Sequence, residues 1–211
     1  MRYRAFASLL PVCLTMTCVA QTGYHPLEVG SKPEKPRTTP GKPAIWSAPP
    51  GAAAQLGPER PLFGWSIRPP RGFVSTQKAD GGNQVFIFQG DPRPDGSAPV
   101  LWVVTGNVKP AESKKPLDEV VMDLYMIQLH HNRVNWKVNP LQYGIIQGQR
   151  FLRRRWSAVE SADGVTRHLR GTVYLTLTGM KFAAITLQDT DPGANATIGT
   201  MENSALSFHK K

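Results

Sequence analysis

The densest chemistry in this 211-residue chain is cationic. Arg150-Phe151-Leu152-Arg153-Arg154-Arg155-Trp156 is followed, beyond Ala162-Asp163-Gly164, by Arg167-His168-Leu169-Arg170. Asp-Gly between two runs of strand-forming residues is a strong hairpin signal, so the two basic runs face each other across a hairpin. A two-residue turn puts Leu152 and Trp156 on one face with Val173 and Leu175, and Arg153 and Arg155 on the other with Thr172 and Tyr174. One face is expected to be apolar and the other basic, with Arg154 on the apolar side, where it must reach the edge or find a carboxylate. A charged strand face is commonly only solvated or paired with acids. The functional alternative is that Arg153, Arg155, His168, Arg170 and Tyr174 contact an anionic surface, such as a polysaccharide, a lipid headgroup or an acidic protein.

Other chemistries lack their spacing. His130-His131 are adjacent and point about 100° apart on a helix, without the His-x-x-x-His pattern of a zinc site, and charge placement at a helix C-terminus accounts for them. His168 and His209 are not required to meet. Ser66, Ser75, Ser157 and Ser204 lie in no Gly-x-Ser-x-Gly elbow and no Ser-x-x-Lys motif. Paired carboxylates for glycoside hydrolysis are scarce, and Asp91, Asp95 and Asp163 read as turn residues. No glycine-rich phosphate loop follows a strand. Asn195-Ala196-Thr197 is a formal glycosylation sequon near a helix start. No catalytic residue, metal or cofactor is therefore expected, and the rival to a binding protein is an enzyme whose active site has no sequence mark.

The N-terminus reads as an address. Met1-Arg2-Tyr3-Arg4 precedes the short apolar run Ala5 to Met16, and Cys18-Val19-Ala20 offers small side chains before a cut, the pattern of a signal peptide over 1–20. The rival is a lipoprotein acylated at Cys18, against which Thr15-Met16-Thr17 is a poor match to the usual aliphatic and small residues. Both cysteines, Cys13 and Cys18, fall here, so no disulfide is expected in the folded part. Residues 21–60 carry eight prolines with Lys32, Lys35, Arg37 and Lys42 between them, which predicts an extended, disordered linker. Ile45-Trp46 is its one hydrophobic point, either a chance exposed pair or a docking motif.

From residue 61 to 211 the composition is that of one folded domain. Strands are expected at 63–67, 73–76, 84–88 and 100–104, a helix from Pro116 to Val134, then two long strands at 148–159 and 165–177 and another at 181–187. The helix sets Leu117, Val120, Val121, Leu124, Ile127 and His131 on one side, with Met122, Tyr125, Met126 and Leu129 widening its buried face. Asp191-Pro192 reads as the N-cap and first position of a last helix. Trp65, Trp102, Trp136 and Trp156 read as core residues with one polar edge. Hairpins predominate, which predicts an α+β fold with a central antiparallel sheet and helices packed on it.

Trp65-Ser66-Ile67-Arg68-Pro69-Pro70-Arg71-Gly72-Phe73, a central helix, the long hairpin and Glu202-Asn203-Ser204-Ala205-Leu206-Ser207-Phe208 together resemble the PsbP-like fold family over about 61–208. That family includes extrinsic photosystem subunits, nuclear transport cofactors that bind a small GTPase, and exported bacterial proteins of unknown role. The resemblance implies an α/β/α sandwich that binds or supports other proteins and does not catalyse. The net charge of +10 permits an anionic partner. The expectation is an exported accessory protein of the bacterial cell envelope, periplasmic or secreted, whose partner is a protein or an anionic envelope component and not nucleic acid. Membrane attachment through Cys18 is the alternative. Intact mass and N-terminal sequencing of the protein from its host are expected to give Gln21 with no added lipid; an acylated Cys18 would establish the lipoprotein instead.

Overall fold

The structure, a computed structural model, describes residues 43–80, 82–109, 113–131, 133–162 and 164–211. The leader with Cys13 and Cys18, residues 21–42 of the linker, and Asp163 lie outside the described residues. In chain order the elements are β1 (Ala44–Ile45), a 3-10 turn at Ala52–Gln55, β2 (Arg60–Pro61), β3 (Trp65–Ile67), β4 (Val74–Asp80), β5 (Asn83–Gln89), β6 (Val100–Asn107) and α1 (Leu117–His130). There follow β7 (Val134–Val138), β8 (Gln142–Ile146), β9 (Gln149–Ala162), β10 (Val165–Thr178), β11 (Lys181–Thr190), α2 (Ala194–Leu206) and β12 (His209–Lys210).

The alternating runs at 149–190 are the centre of a nine-stranded sheet ordered β1-β8-β9-β10-β11-β6-β5-β4, with β7 also paired to β9. All of these ladders are antiparallel except β1 on β8. The hairpin register is the one the Asp-Gly turn demands: Val165 faces Ala162, Thr172 faces Arg155 and Leu175 faces Leu152. Gly164 sits at φ 74°, a left-handed turn conformation that glycine adopts without steric cost.

Both faces of the sheet are covered. On one, Met201, Ala205 and Phe208, from α2 and the residues after it, pack on Phe151, Tyr174, Ile185, Leu187 and Leu101, together with Leu62, Trp65 and Ile67 of the small sheet β12-β3-β2. On the other, Val121, Met122, Tyr125, Met126 and Leu129 of α1 pack on Val104, Leu152, Trp156, Val173 and Leu175. This is the expected α+β sandwich with a central antiparallel sheet. Tyr125 fixes α1 to the sheet through hydrogen bonds with Thr186 Oγ1 (2.8 Å) and Trp102 Nε1 (3.0 Å), and its burial pushes the phenol up to about 12.

Four expectations change. The centre of the supposed basic face is buried, with Thr172 and Tyr174 beneath the α2 layer, because the sheet needs cover on both sides. Helix α1 ends at His130 and is turned so that the second apolar group faces the core, leaving Leu124 46% and Ile127 67% exposed. In that rotation Asp118 pairs with Arg150 (3.2 Å) and Asp123 with Arg154 (3.1 Å), which is how Arg154 finds its carboxylate on the apolar side. Asp191 does not cap α2; Gly193 holds the N-cap position, the Asp191-Pro192 peptide is cis, and the Asp191 side chain pairs with Arg170. Residues 43–60, read as linker, join the fold, since Leu56 bridges Pro70 and Gly57 N–H donates to Pro69 O (2.8 Å).

One buried carboxylate joins the end of β11 to its surroundings. Asp189, 1% exposed, accepts two bonds from Arg93 (2.6 Å each), one from Thr190 N–H (2.7 Å) and one from Thr197 Oγ1. Asp189→Ala is expected to cost about 3 kcal/mol in urea unfolding, because it strands the guanidinium and two further donors; a loss below about 1 kcal/mol would show that this junction is not structural.

Candidate functional site

The strand alternation of β9 and β10 places Arg153, Arg155, His168, Arg170 and Tyr174 on the α2 side of the sheet, in a line and not in a pocket. His168 and Tyr174 are six residues apart on one strand, about 20 Å. Arg153 donates from Nε and Nη2 to Gln142 Oε1 (2.9 and 2.7 Å), and its guanidinium lies 4.3 Å from the Trp46 ring centre and 5.9 Å from that of Tyr174. Arg155 pairs with Glu202 of α2 at 3.1 Å. Arg170 pairs with Asp191 and donates to Asn195 Oδ1 of the sequon. His168 is exposed, and its carbonyl accepts from Asp191 N–H (2.9 Å). Tyr174 is 1% exposed; burial pushes its phenol above the usual value, with Glu202 adding and Arg153 and Arg155 opposing. Two of the three arginines on this line thus meet carboxylates, and the third, Arg153, is stacked and bonded.

The stacking partner of Arg153 was not legible. Trp46 N–H donates to Ile145 O (2.9 Å), its ring meets Tyr174 edge-on at 5.9 Å, and it lies against Gly144, where a Cβ would overlap the indole. The Ile45-Trp46 pair is therefore divided: Trp46 docks on its own domain, while Ile45 is 77% exposed.

A second cationic site had no local sequence mark. Two adjoining hollows of about 290 and 240 Å³ run between β4 and the small sheet and share Arg60, Ser75 and Phe88. One end carries Arg60, Arg68 and Arg71; the floor is Phe86 and Phe88. Arg68 is anchored by Nε to Gly57 O (3.1 Å), whereas Arg60 and Arg71 are exposed. Among the described residues no carboxylate lines either hollow, and neighbouring Glu59 is turned toward Lys211 (3.6 Å) and His209 (3.7 Å). The nearby Ser66 hydroxyl, with help from Lys211 and His209, holds the Glu59 carboxyl below its usual range. The wall is the Trp65–Phe73 stretch with Pro69-Pro70 buried in it, and residues 52–57 lie across it.

His130 stacks on Trp136 at 5.3 Å and His209 approaches Glu59; among the described residues no three His, Cys, Asp or Glu side chains are grouped to hold a metal. Nor is any helix among them long and apolar enough to cross a membrane.

With the sandwich and its surfaces defined, the fold is PsbP-like. Cyanobacterial PsbP (CyanoP) from Synechocystis sp. PCC 6803 aligns over 79% of this chain and 99% of its own, with TM-score 0.52 and 18% identity. The Saccharomyces cerevisiae Ran-binding protein Mog1p aligns over 72% and 94%, with TM-score 0.47 and 12% identity, and a Bacteroides thetaiotaomicron protein over 70% and 45%, with TM-score 0.42 and 10% identity. No family model and no curated protein matches the sequence.

Gly144→Val is expected to expel Trp46 from β8 while the sandwich stays folded. Amide exchange at 44–46 should become fast and global stability fall by about 1–2 kcal/mol, the worth of one edge-on ring pair and one cation–π contact. Unchanged protection at Trp46 would contradict this packing.

Proposed function

We propose that the protein is an exported, non-catalytic binding or accessory protein of the bacterial cell envelope, which contacts an anionic partner through its cationic groove. The observation that carries this reading is the contrast between the two basic regions. Arg155 and Arg170 of the hairpin are matched to Glu202 and Asp191, so an incoming anion there must displace an existing pair. Among the described residues Arg60 and Arg71 have no carboxylate against them, and a ligand that reaches them gains attraction without breaking a contact there. The open, shallow form of the groove suits a surface contact better than a reaction shielded from water. Export rests on the leader pattern, and the envelope on that export.

On an immobilised heparin column, Arg60→Gln with Arg71→Gln should elute at lower salt than the parent, and the slope of log retention against log salt should fall by roughly one per arginine removed. Arg153→Gln with Arg155→Gln should shift elution less, and Lys210→Gln with Lys211→Gln least. Equal shifts for all three pairs would mean that net charge alone is read, and the groove would lose its role.

A further inference from the structure

The two edges of the large sheet are finished differently. At one, β8 is overlaid by β1 with Trp46 pinned beside it. At the other, β4 pairs among the described residues only with β5, in unbroken register from Val74↔Gln89 to Asp80↔Asn83, and residues 74–79 are all exposed. A free edge presents a row of main-chain donors and acceptors, which proteins ordinarily blunt with a proline, a bulge, a short strand or a covering element. β4 is seven residues long, has no proline and no bulge, and carries Lys78 as its one cation. Beside this edge lies the cationic groove, with Ser75 and Gln77 of β4 on its lining and Arg60 across from them.

We propose that β4 is a docking edge for an extended acidic peptide segment of a partner protein, which adds a strand to the sheet while its carboxylates reach Arg60, Arg68 and Arg71. The proposal rests on the cationic groove of the preceding section and names its ligand. Main-chain pairing along β4 supplies affinity of the strand-addition kind, and the groove selects the side chains on one face of the added strand. A seven-residue edge accommodates a segment of about 20–25 Å. Charge decides the occupant. The chain's own residues 21–42 carry Lys32, Lys35, Arg37 and Lys42 against Glu28 and Glu34, and a second copy brings its net +10, so both are repelled where an acidic strand is attracted.

The test is calorimetric titration of the full chain with an acetylated, amidated octapeptide of alternating Glu and Val, beside two versions N-methylated at the odd or at the even residues. Strand addition uses the amides of one alternate set, so one methylated peptide should bind at least about tenfold more weakly and the other nearly normally. The R60Q/R71Q chain should bind the unmodified peptide about fivefold more weakly, and amide exchange over 74–79 should slow when the peptide is added to the parent. If both methylated peptides bind like the parent peptide, strand addition is overturned while the groove stands. If the octapeptide does not bind but heparin retention still depends on Arg60 and Arg71, the ligand is a non-peptide anion and the docking edge is overturned. Failure of the groove itself is separately visible as heparin retention unaffected by R60Q/R71Q.

Discussion

One buried carboxylate, Asp189, fixes how the layers meet. Its donors come from three places: Arg93 in the loop between β5 and β6, Thr190 in the same strand, and Thr197 in α2. A buried charge is tolerable only when its hydrogen-bond partners are all present, so these segments are assembled together or not at all. Hydrogen bonding to Asp189 also raises Arg93 above its ordinary value. Because this junction seats α2, it also decides what lies over Tyr174 and brings Glu202 to Arg155.

The same covering of both faces explains the distribution of arginine. A strand that is apolar on alternate positions leaves its cations at the margins of two cores, and each must look outward along its own layer for an acid. Arg150 and Arg154 find Asp118 and Asp123 on α1, and Arg155 finds Glu202 on α2. A cluster that is conspicuous in sequence thus becomes stitching between sheet and helices, while the sparse trio Arg60, Arg68 and Arg71 gathers around open space.

What was legible follows from the range of the signals. The Asp-Gly hairpin carries its register locally, and the face of every residue from Leu152 to Leu175 follows from it. The PsbP-like architecture is likewise written in element order and in the Trp65–Phe73 stretch. The rotation of α1 was not, because apolar residues occupy most of its circumference and the arginines that its acids meet lie some 30 residues away in sequence. The groove escaped for a similar reason: proline-rich composition over 43–60 signals an extended chain, and only Pro69-Pro70 in three dimensions shows that this chain lies against the domain. The hint of docking was the Ile45-Trp46 pair, but its seat, the missing side chain of Gly144, carried no mark of its own.

Among the described residues, the chain first meets the domain from its N-terminal side at Ala44–Trp46, where a strand of two residues runs parallel to β8 and a single indole is wedged in a notch. Two main-chain pairings and one ring hold this segment, ahead of Leu56 and the wall it braces.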